Sequence, residues 1–332
     1  MACRTSRKPR EKALPNSMPS LRGRVANVLV RILIRHWPAD DPAAMVRRAR
    51  KVFGESKLVR FRPPREMKIE QVNTEIRGEW LIPSGLRFPD SVLLYIHGGG
   101  YVSCSAKGHR PITATLAQLV GCRVFSLDYR LAPEHPFPAA AEDALRAFYW
   151  LLKNGISPEK IALAGDSAGG GLVFATLLHL RDQGISTACA TGISPWVDMT
   201  GEFTVTNQKS CAMFFPKDGL AFARVYLNGA PAKSPVASPI LGDLKGLPPL
   251  LIQAADRELL FDDAVRLHQK ATANGVESRL HVYPGLPHVW QMFAGVVPEA
   301  DQALQEIAEF ISEKFAAAMT SAADRRPVQT VR

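Results

Sequence analysis

Gly165-Asp166-Ser167-Ala168-Gly169 stands between a short apolar run at residues 161–164 and a helical pattern at 169–181. A serine flanked by glycines at a strand-to-helix turn is typical of a nucleophile elbow, because the tight turn leaves no room for side chains at the flanking positions. The strained turn is expected to push the hydroxyl of Ser167 out above a sheet. The alternative interpretation is an ordinary helix start with Ser167 as the N-cap residue.

Strand and helix patterns alternate on both sides of this stretch. Two segments with alternating apolar and polar residues, 67–72 and 74–82, predict an antiparallel pair. Solid apolar runs of the buried-strand type follow at 92–96, 124–127, 161–164, 189–193, 250–254 and 280–282. Helical patterns separate most of them, at 111–120, 139–152, 169–181, 261–273 and 299–315. The sequence therefore predicts an α/β fold with a mostly parallel central sheet and helices on both faces.

Four other segments lie outside the alternation. Residues 18–55 carry helical patterns, and residues 200–228 interrupt the alternation with aromatic and methionine side chains. Residues 18–55 are predicted to be a helical cap segment. Residues 200–228 are predicted to be either a cap insertion or a plain packing insertion. We expect residues 1–17 and 318–332 to be disordered tails, which leaves residues 56–317 as the main domain.

The chain carries an excess of positive charge, with 41 Lys and Arg against 31 Asp and Glu among its 332 residues. Nucleic-acid binding is one hypothesis for this excess. However, aromatic residues are not interleaved with the basic ones, which crowd the first segment as Arg4, Arg7, Lys8, Arg10 and Lys12. We expect a solvated basic tail and no nucleic-acid partner, with weak attraction to anionic lipid or substrate as the alternative.

The cysteine pattern and the length of the apolar runs indicate where in the cell the protein is expected and whether it enters a membrane. The cysteines are odd in number, and no C-x-x-C spacing suggests a metal or redox centre among Cys3, Cys104, Cys122, Cys189 and Cys211. Cys122 and Cys189 are predicted core thiols. No apolar run is long enough for a membrane-spanning helix, and residues 25–34 are interpreted as an amphipathic helix. We expect a cytoplasmic protein without stable membrane insertion.

Three consecutive glycines, Gly98, Gly99 and Gly100, come directly after the apolar run at 92–96 and His97. Their backbone N–H groups are unshielded and can point at a developing oxyanion, to which the N–H of Ala168 is expected to contribute as well. Each such donor is typically worth about 3 kcal/mol of transition-state stabilisation. A flexible turn is the alternative. We expect His97 to brace the loop by a hydrogen bond and not to act as a base.

A serine nucleophile needs a base, and three histidines follow Ser167 at a long interval. His268 lies inside a helical pattern and is predicted to be a surface residue, whereas His281 lies inside a predicted strand. His288 follows that strand in a loop, where it could reach the serine hydroxyl. The sequence therefore predicts His288 as the base.

The base in turn needs an orienting acid, and two residues in the turn after the run at 250–254 qualify. They are Asp256 and Glu258. Asp262 and Asp263 instead suit the first turn of the following helix, where the helix dipole stabilises carboxylates. Pairing of Asp256 with Arg257 is an alternative to a catalytic role.

Four segments together resemble the bacterial hormone-sensitive-lipase-like esterases (family IV), a branch of the α/β-hydrolases. They are His97-Gly98-Gly99-Gly100, residues 128–138, Gly165-Asp166-Ser167-Ala168-Gly169 and Pro287-His288-Val289. The resemblance spans residues from about 60 to 315. It implies an α/β-hydrolase with a small helical cap and a serine carboxylesterase activity on short to medium acyl esters, with no metal and no organic cofactor. In residues 128–138, a pair between Arg130 and Glu134 is one hypothesis for how the segment is fixed.

The resemblance also bears on individual site residues. The family's acid opens an Asp-Pro-Leu-x-Asp segment, and matching Leu260 and Asp262 to it places Glu258 in the acid position, 30 residues before His288. This favours Glu258 over Asp256. The resemblance further implies a homodimer as one assembly and suggests five pocket-wall residues, each of which could also be plain core: Tyr101, Trp196, Phe214, Phe215 and Trp290.

Residues and resemblance together predict a carboxylic ester hydrolase that forms an acyl-enzyme. His288 would take the proton of Ser167, Glu258 would orient the imidazole, and the N–H groups of Gly99, Gly100 and Ala168 would hold the oxyanion. A lactone or N-acyl amide hydrolase with the same triad is one alternative. A non-catalytic ligand-binding protein on this fold is another, because a fold does not fix a function.

Overall fold

A computed structural model describes residues 12–13, 18–54, 64, 66–202 and 209–324 of the chain. Within them, one sheet has the strand order β1-β9-β8-β7-β6-β4-β5-β3-β2. Among these strands, β3 alone runs opposite to all the others. The predicted mostly parallel sheet is confirmed. The strands are β1 (Lys12–Ala13), β2 (Lys68–Asn73), β3 (Arg77–Ile82), β4 (Phe88–Ile96), β5 (Cys122–Leu127), β6 (Ile161–Asp166), β7 (Cys189–Ile193), β8 (Leu250–Ala255) and β9 (Ser278–Tyr283).

Helices cover both faces of the sheet. Helices α3 and α8 pack together over one face, and α4, α5 and α7 contribute to the core on the other. Successive residues of β4 point to opposite faces of the sheet. Leu93 belongs to the hydrophobic cluster with α3 and α8, and Leu94 belongs to the cluster with α4 and α5. The helices are α1 (Leu21–Leu33), α2 (Pro42–Phe53), α3 (Arg110–Val120), α4 (Ala139–Lys153), α5 (Ser167–Asp182), α6 (Pro216–Leu227), α7 (Phe261–Ala273) and α8 (Pro298–Asp324).

The expected tails differ from the structure at two places. Helix α8 continues to Asp324, past the predicted boundary at residue 317, and alanines at 316–318 and 322–323 favour this because alanine is the strongest helix former. At the other end, Lys12–Ala13 pairs in parallel with β9. The rest of the expected basic tail at 1–17 and residues 325–332 lie outside the described residues.

The two segments expected to form a cap pack against each other. Trp37 connects them, since its ring stacks on Phe53 with ring centres 5.4 Å apart and on Phe214 at 5.6 Å. Its indole N–H donates to the carbonyl oxygen of Met213 at 3.0 Å. Residues 203–208 of the second segment lie outside the described residues. In the part of the chain that is described, no helix is long and apolar enough to cross a membrane.

Candidate active site

Ser167 is the first residue of α5 and follows β6 directly, with a left-handed φ of 50°. This conformation is strained for a residue with a side chain. Both flanking glycines are required by close approach: a Cβ at Gly165 would lie 2.6 Å from the carbonyl oxygen of Gly169, and one at Gly169 would lie 2.0 Å from that of Ile96. The N-cap residue is Asp166, so the alternative with Ser167 as an N-cap is wrong. The turn has the geometry predicted for a nucleophile elbow.

Three predicted residues form one hydrogen-bonded line. The Oγ atom of Ser167 lies 2.9 Å from Nε2 of His288, and Nδ1 of His288 lies 2.6 Å from Oε2 of Glu258. Both His288 and Glu258 are buried, and the second carboxylate oxygen of Glu258 accepts the N–H of Ala255 at 3.0 Å. With Nδ1 protonated, the imidazole donates to the carboxylate and accepts from the serine hydroxyl. The side chains are therefore arranged for proton transfer from Ser167 to His288.

Asp256, the other acid candidate, is engaged elsewhere. Its Oδ1 atom accepts the backbone N–H of Gly285 at 2.7 Å. Gly285 belongs to the loop that carries His288, so this contact helps to fix the loop. The geometry assigns the hydrogen bond to the imidazole to Glu258, in agreement with the resemblance.

The glycine loop divides into two parts. The N–H of Gly98 donates to Oδ1 of Asp166 at 3.0 Å, so the expectation that Gly98 donates to an oxyanion is wrong. Gly99 and Gly100 have left-handed φ values of 110° and 62° and line the cavity beside Ser167. Among the described loops and turns, no backbone group accepts the N–H groups of Gly99 or Gly100, and Ala168 lies in the first turn of α5, where N–H groups have no acceptor within the helix. These three donors remain available to a ligand.

A buried network that no local sequence pattern indicates surrounds Asp166. Its carboxylate accepts the Tyr95 hydroxyl at 2.7 Å and lies 3.3 Å from Nε2 of His109. Burial disfavours the charged form of both Asp166 and His109. The attraction between the carboxylate and the imidazolium outweighs this penalty for each group. The pKa of Asp166 is lowered by the charge and hydrogen bond of His109, and the pKa of His109 is raised by Asp166. The network locks the loop of Gly98 to the turn of Ser167.

His97 has the bracing role that the sequence predicts. Its Nδ1 atom lies 2.7 Å from the carbonyl oxygen of Gly98, and its ring stacks on Tyr129 with ring centres 4.3 Å apart. Burial, with the nearby charge of His109, lowers the pKa of His97 to about 3. A neutral, enclosed imidazole of this kind supports the loop.

His268, His281 and two of the cysteines make contacts away from the Ser167 hydroxyl. The prediction that His268 lies on the surface is wrong, because α7 turns this side chain into the core, where Nδ1 lies 2.9 Å from Oγ of Ser278. His281 instead pairs with Glu306 at 2.7 Å. Cys122 and Cys189 are fully buried, as predicted.

A cavity of about 720 Å³ opens over Ser167 and His288. Trp196 and Phe214 line it, as expected. Val30 of α1 and Ile34 at its end also line the cavity, and the sequence does not predict this, because nothing local shows which side of α1 faces the site. Other lining side chains are mostly apolar: Val52, Phe53, Met199, Met213, Leu220, Phe222, Leu259, Leu260, Val289, Met292 and Phe293.

The three other expected pocket residues are absent from the cavity wall that the described residues form. Tyr101 stacks on Tyr226 at 3.9 Å, and Phe215 lies under the guanidinium of Arg35 at 4.2 Å. Trp290 packs on Tyr283 at 4.8 Å, and its indole N–H donates to the carbonyl oxygen of Glu299. These aromatic residues pack against other side chains and not into the cavity wall.

Part of the cavity wall is polar. Arg266 bridges two carboxylates, at 3.0 Å to Asp198 and 2.9 Å to Asp263. Burial, with the neighbouring charge of Asp198, raises the pKa of Asp263 to about 7 although Arg266 opposes the shift. Among the described residues, no three His, Cys, Asp or Glu side chains are placed to hold a metal ion.

The pair expected between Arg130 and Glu134 does not form. Arg130 instead binds Asp143 of α4, with Nε 2.9 Å from Oδ2. Glu134 binds Arg50 of α2, with Oε1 2.8 Å from NH1, and Arg50 also donates to the carbonyl oxygen of Val102 at 2.9 Å. Residues 128–138 are thus tied to α2 as well as to α4.

The sheet order, the elbow at Ser167 and the histidine after the last strand define an α/β-hydrolase. Residues 93–292 match a family model described as an alpha/beta hydrolase fold. An acetyl-hydrolase of Streptomyces hygroscopicus is 41% identical over 237 residues, which are 70% of this chain and 79% of the relative. An esterase of Acinetobacter venetianus is 34% identical over 264 residues, or 78% and 84% of the two chains.

A solved structure is similar over nearly the whole chain. It is a crystal structure of an esterase from the bacterial hormone-sensitive lipase family, with a TM-score of 0.80 and 38% identity. The match covers 90% of this chain and 100% of that one. The chain therefore belongs to the bacterial hormone-sensitive-lipase family of α/β-hydrolase carboxylesterases.

Proposed function

We propose that the protein hydrolyses carboxylic esters through an acyl-enzyme on Ser167. The observation that carries the proposal is the line from Ser167 through His288 to Glu258, with hydrogen-bond distances of 2.9 and 2.6 Å, at the wall of an apolar cavity. A hydroxyl is a weak nucleophile by itself, and a hydrogen-bonded imidazole activates it.

The first half of the reaction acylates the serine. Nε2 of His288 takes the hydroxyl proton while Oγ of Ser167 attacks the ester carbonyl carbon. Negative charge develops on the carbonyl oxygen, where the N–H groups of Gly99, Gly100 and Ala168 receive it. Collapse of the tetrahedral intermediate breaks the bond to the alcohol oxygen, which takes the proton from His288.

The second half repeats these steps with water. His288 removes a proton from the water, the resulting hydroxide attacks the acyl carbon, and Ser167 leaves with the proton that His288 returns to it. Glu258 orients the ring of His288 through Nδ1 and stabilises the imidazolium at each stage. The carboxylic acid is released and the serine hydroxyl is restored.

The cavity supports esters with short to medium acyl chains as substrates. Its volume of about 720 Å³ suits a small ligand, and its side chains are mostly apolar. The name of the similar acetyl-hydrolase indicates a short acyl group for that relative, and the similar esterase supports an ester substrate without indicating a chain length.

Replacement of Ser167 by alanine tests the proposal. We expect Ser167→Ala to lose about 10⁴-fold or more of kcat on p-nitrophenyl butyrate, with an unchanged melting temperature. Ser234→Ala, far along the chain in a surface turn, serves as the matched control and should keep full activity. Retention of activity in a folded Ser167→Ala variant would overturn the proposal. A panel that includes a lactone and an N-acetyl amide would show whether esters are the preferred substrates.

A further inference from the structure

Helix α1 carries an exposed apolar face. Six side chains on it are between 48% and 68% exposed, namely Leu21, Val25, Val28, Leu29, Ile32 and Leu33. Their spacing places them together on the outer side of the helix, within about 140° of its circumference at 100° per residue. A contiguous apolar stripe in contact with water marks a surface that binds something.

The opposite side of the same helix faces the protein. Ala26 and Val30 are buried there, and Val30 and Ile34 line the cavity above Ser167. One helix therefore forms a wall of the cavity on its inner side and presents apolar side chains on its outer side. Val296 is also 52% exposed, and its carbonyl oxygen accepts a hydrogen bond from Arg22 of α1.

The charged side chains of α1 itself have one sign, and an acidic side chain of α8, Glu299, contacts the start of the helix, where it accepts the hydroxyl of Ser20 at 2.8 Å. From residue 18 to residue 39 the chain contains four arginines and no aspartate or glutamate. Arg24 and Arg31 are exposed along one edge of the apolar stripe, and Arg22 is exposed within its arc. At the end of α1, Arg48 donates to the carbonyl oxygen of Leu33 at 3.3 Å. An apolar stripe bordered by arginines complements an anionic lipid surface, in which acyl chains lie beneath phosphate headgroups.

We propose that the outer face of α1 docks the protein onto an anionic lipid surface. The apolar side chains enter the boundary between headgroups and acyl chains, and the arginines contact headgroup phosphates. This binding does not depend on the proposed ester hydrolysis. Because Val30 and Ile34 of the same helix line the cavity, docking would bring the cavity next to the lipid, where apolar esters concentrate.

Vesicle co-sedimentation of the full chain tests the proposal. We expect binding to vesicles of phosphatidylcholine with 30% phosphatidylglycerol, weaker binding to pure phosphatidylcholine, and a loss of binding in high salt. The double variant Val28→Ser/Ile32→Ser should lower the partition coefficient about tenfold or more. Val236→Ser/Leu241→Ser removes two exposed apolar side chains outside α1 and should bind like the unmodified chain.

A second variant keeps the test independent of the folding of α1. Arg24→Gln/Arg31→Gln should weaken binding to the anionic vesicles but not to pure phosphatidylcholine. Hydrolysis of soluble p-nitrophenyl butyrate by all three double variants should stay unchanged, which separates docking from catalysis. The proposal is overturned if the unmodified chain does not sediment with anionic vesicles. It is also overturned if the chain forms a dimer in lipid-free buffer that Val28→Ser/Ile32→Ser abolishes, because a second copy would then cover the face.

Discussion

Nδ1 of His288 lies 2.6 Å from Oε2 of Glu258, although 30 residues separate them, and both side chains are buried. The second oxygen of Glu258 is held by the N–H of Ala255. The carboxylate is therefore fixed in one orientation and fixes the imidazole in turn. Asp256, two residues earlier, instead holds the N–H of Gly285.

Because Glu258 and Asp256 have different hydrogen-bond partners, replacing them is predicted to lower kcat by very different amounts. Glu258→Gln removes the charge that stabilises the imidazolium and should lower kcat by about 10³- to 10⁴-fold. Asp256→Asn should stay within about tenfold of the unmodified chain, since an amide oxygen can still accept the N–H of Gly285. Steady-state kinetics on p-nitrophenyl butyrate distinguish them. A larger loss in Asp256→Asn than in Glu258→Gln would contradict the assignment.

The close contact between Gly98 and Asp166 is predicted to hold the glycine loop in place beside Ser167. A Cβ there would lie 2.2 Å from a carboxylate oxygen of Asp166, which is buried and held by several hydrogen bonds. Gly98→Ala should displace the glycine loop from Ser167 and lower kcat about 10²-fold, with a smaller effect on KM. Gly85→Ala is the control, because a Cβ at Gly85 meets no atom within 4 Å. Equal activities of the two variants would refute the role of this contact.

Two adjacent phenylalanines provide a test of the cavity wall. Phe214 lines the cavity, whereas Phe215 lies against Arg35 outside it. Phe214→Ala should lower kcat/KM for butyrate about tenfold and shift the preference toward longer acyl chains, because it enlarges the apolar wall. Phe215→Ala should leave the chain-length profile unchanged. A profile that moves with Phe215 and not with Phe214 would show that the cavity wall is misassigned.

The pair of His109 and Asp166 predicts a pH-dependent contribution to stability. The pKa of His109 is raised in the folded protein by Asp166, so the folded state holds this proton more tightly than the unfolded state does. The resulting stabilisation is fully present below the ordinary histidine pKa of about 6.5 and is lost as pH rises through the raised value.

His109→Gln removes the charge of this pair. At pH 6 the free energy of unfolding of the variant should be about 3 kcal/mol lower than that of the unmodified chain. The difference should shrink toward pH 9, as His109 loses its proton in the unmodified chain too. Urea unfolding at several pH values measures it, with the exposed His36→Gln as control. A difference that grows with pH would contradict the sign of the effect.

The sequence predicted the parts of the site that local pattern determines. Ser167 was found because glycines, a strand and a helix surround it, and His288 because it follows the last strand of an alternating series. Neither needs knowledge of a distant contact. The choice of Glu258 over Asp256 rested on a family resemblance, because two carboxylates in one turn look alike until the fold shows which of them reaches the imidazole.

What the sequence did not predict depends on contacts between distant residues. The N–H of Gly98 donates to the carboxylate of Asp166, 68 positions away, and no local pattern reveals this hydrogen bond. The aromatic character of Tyr101, Phe215 and Trp290 indicates contact with other side chains but does not show which way each ring points. In the structure all three point away from the cavity. His268 was predicted to be exposed because a helical pattern alone does not show how deeply one of its side chains is buried in the core.

Covalent labelling of the nucleophile tests the proposed mechanism most directly. Incubation with a fluorophosphonate, followed by intact-mass and peptide mass spectrometry, should give one adduct per chain, located on Ser167. Ser167→Ala should give none, and His288→Ala should react far more slowly because the hydroxyl is no longer activated. An active enzyme that is not labelled, or that is labelled at a residue other than Ser167, would contradict the acyl-enzyme mechanism.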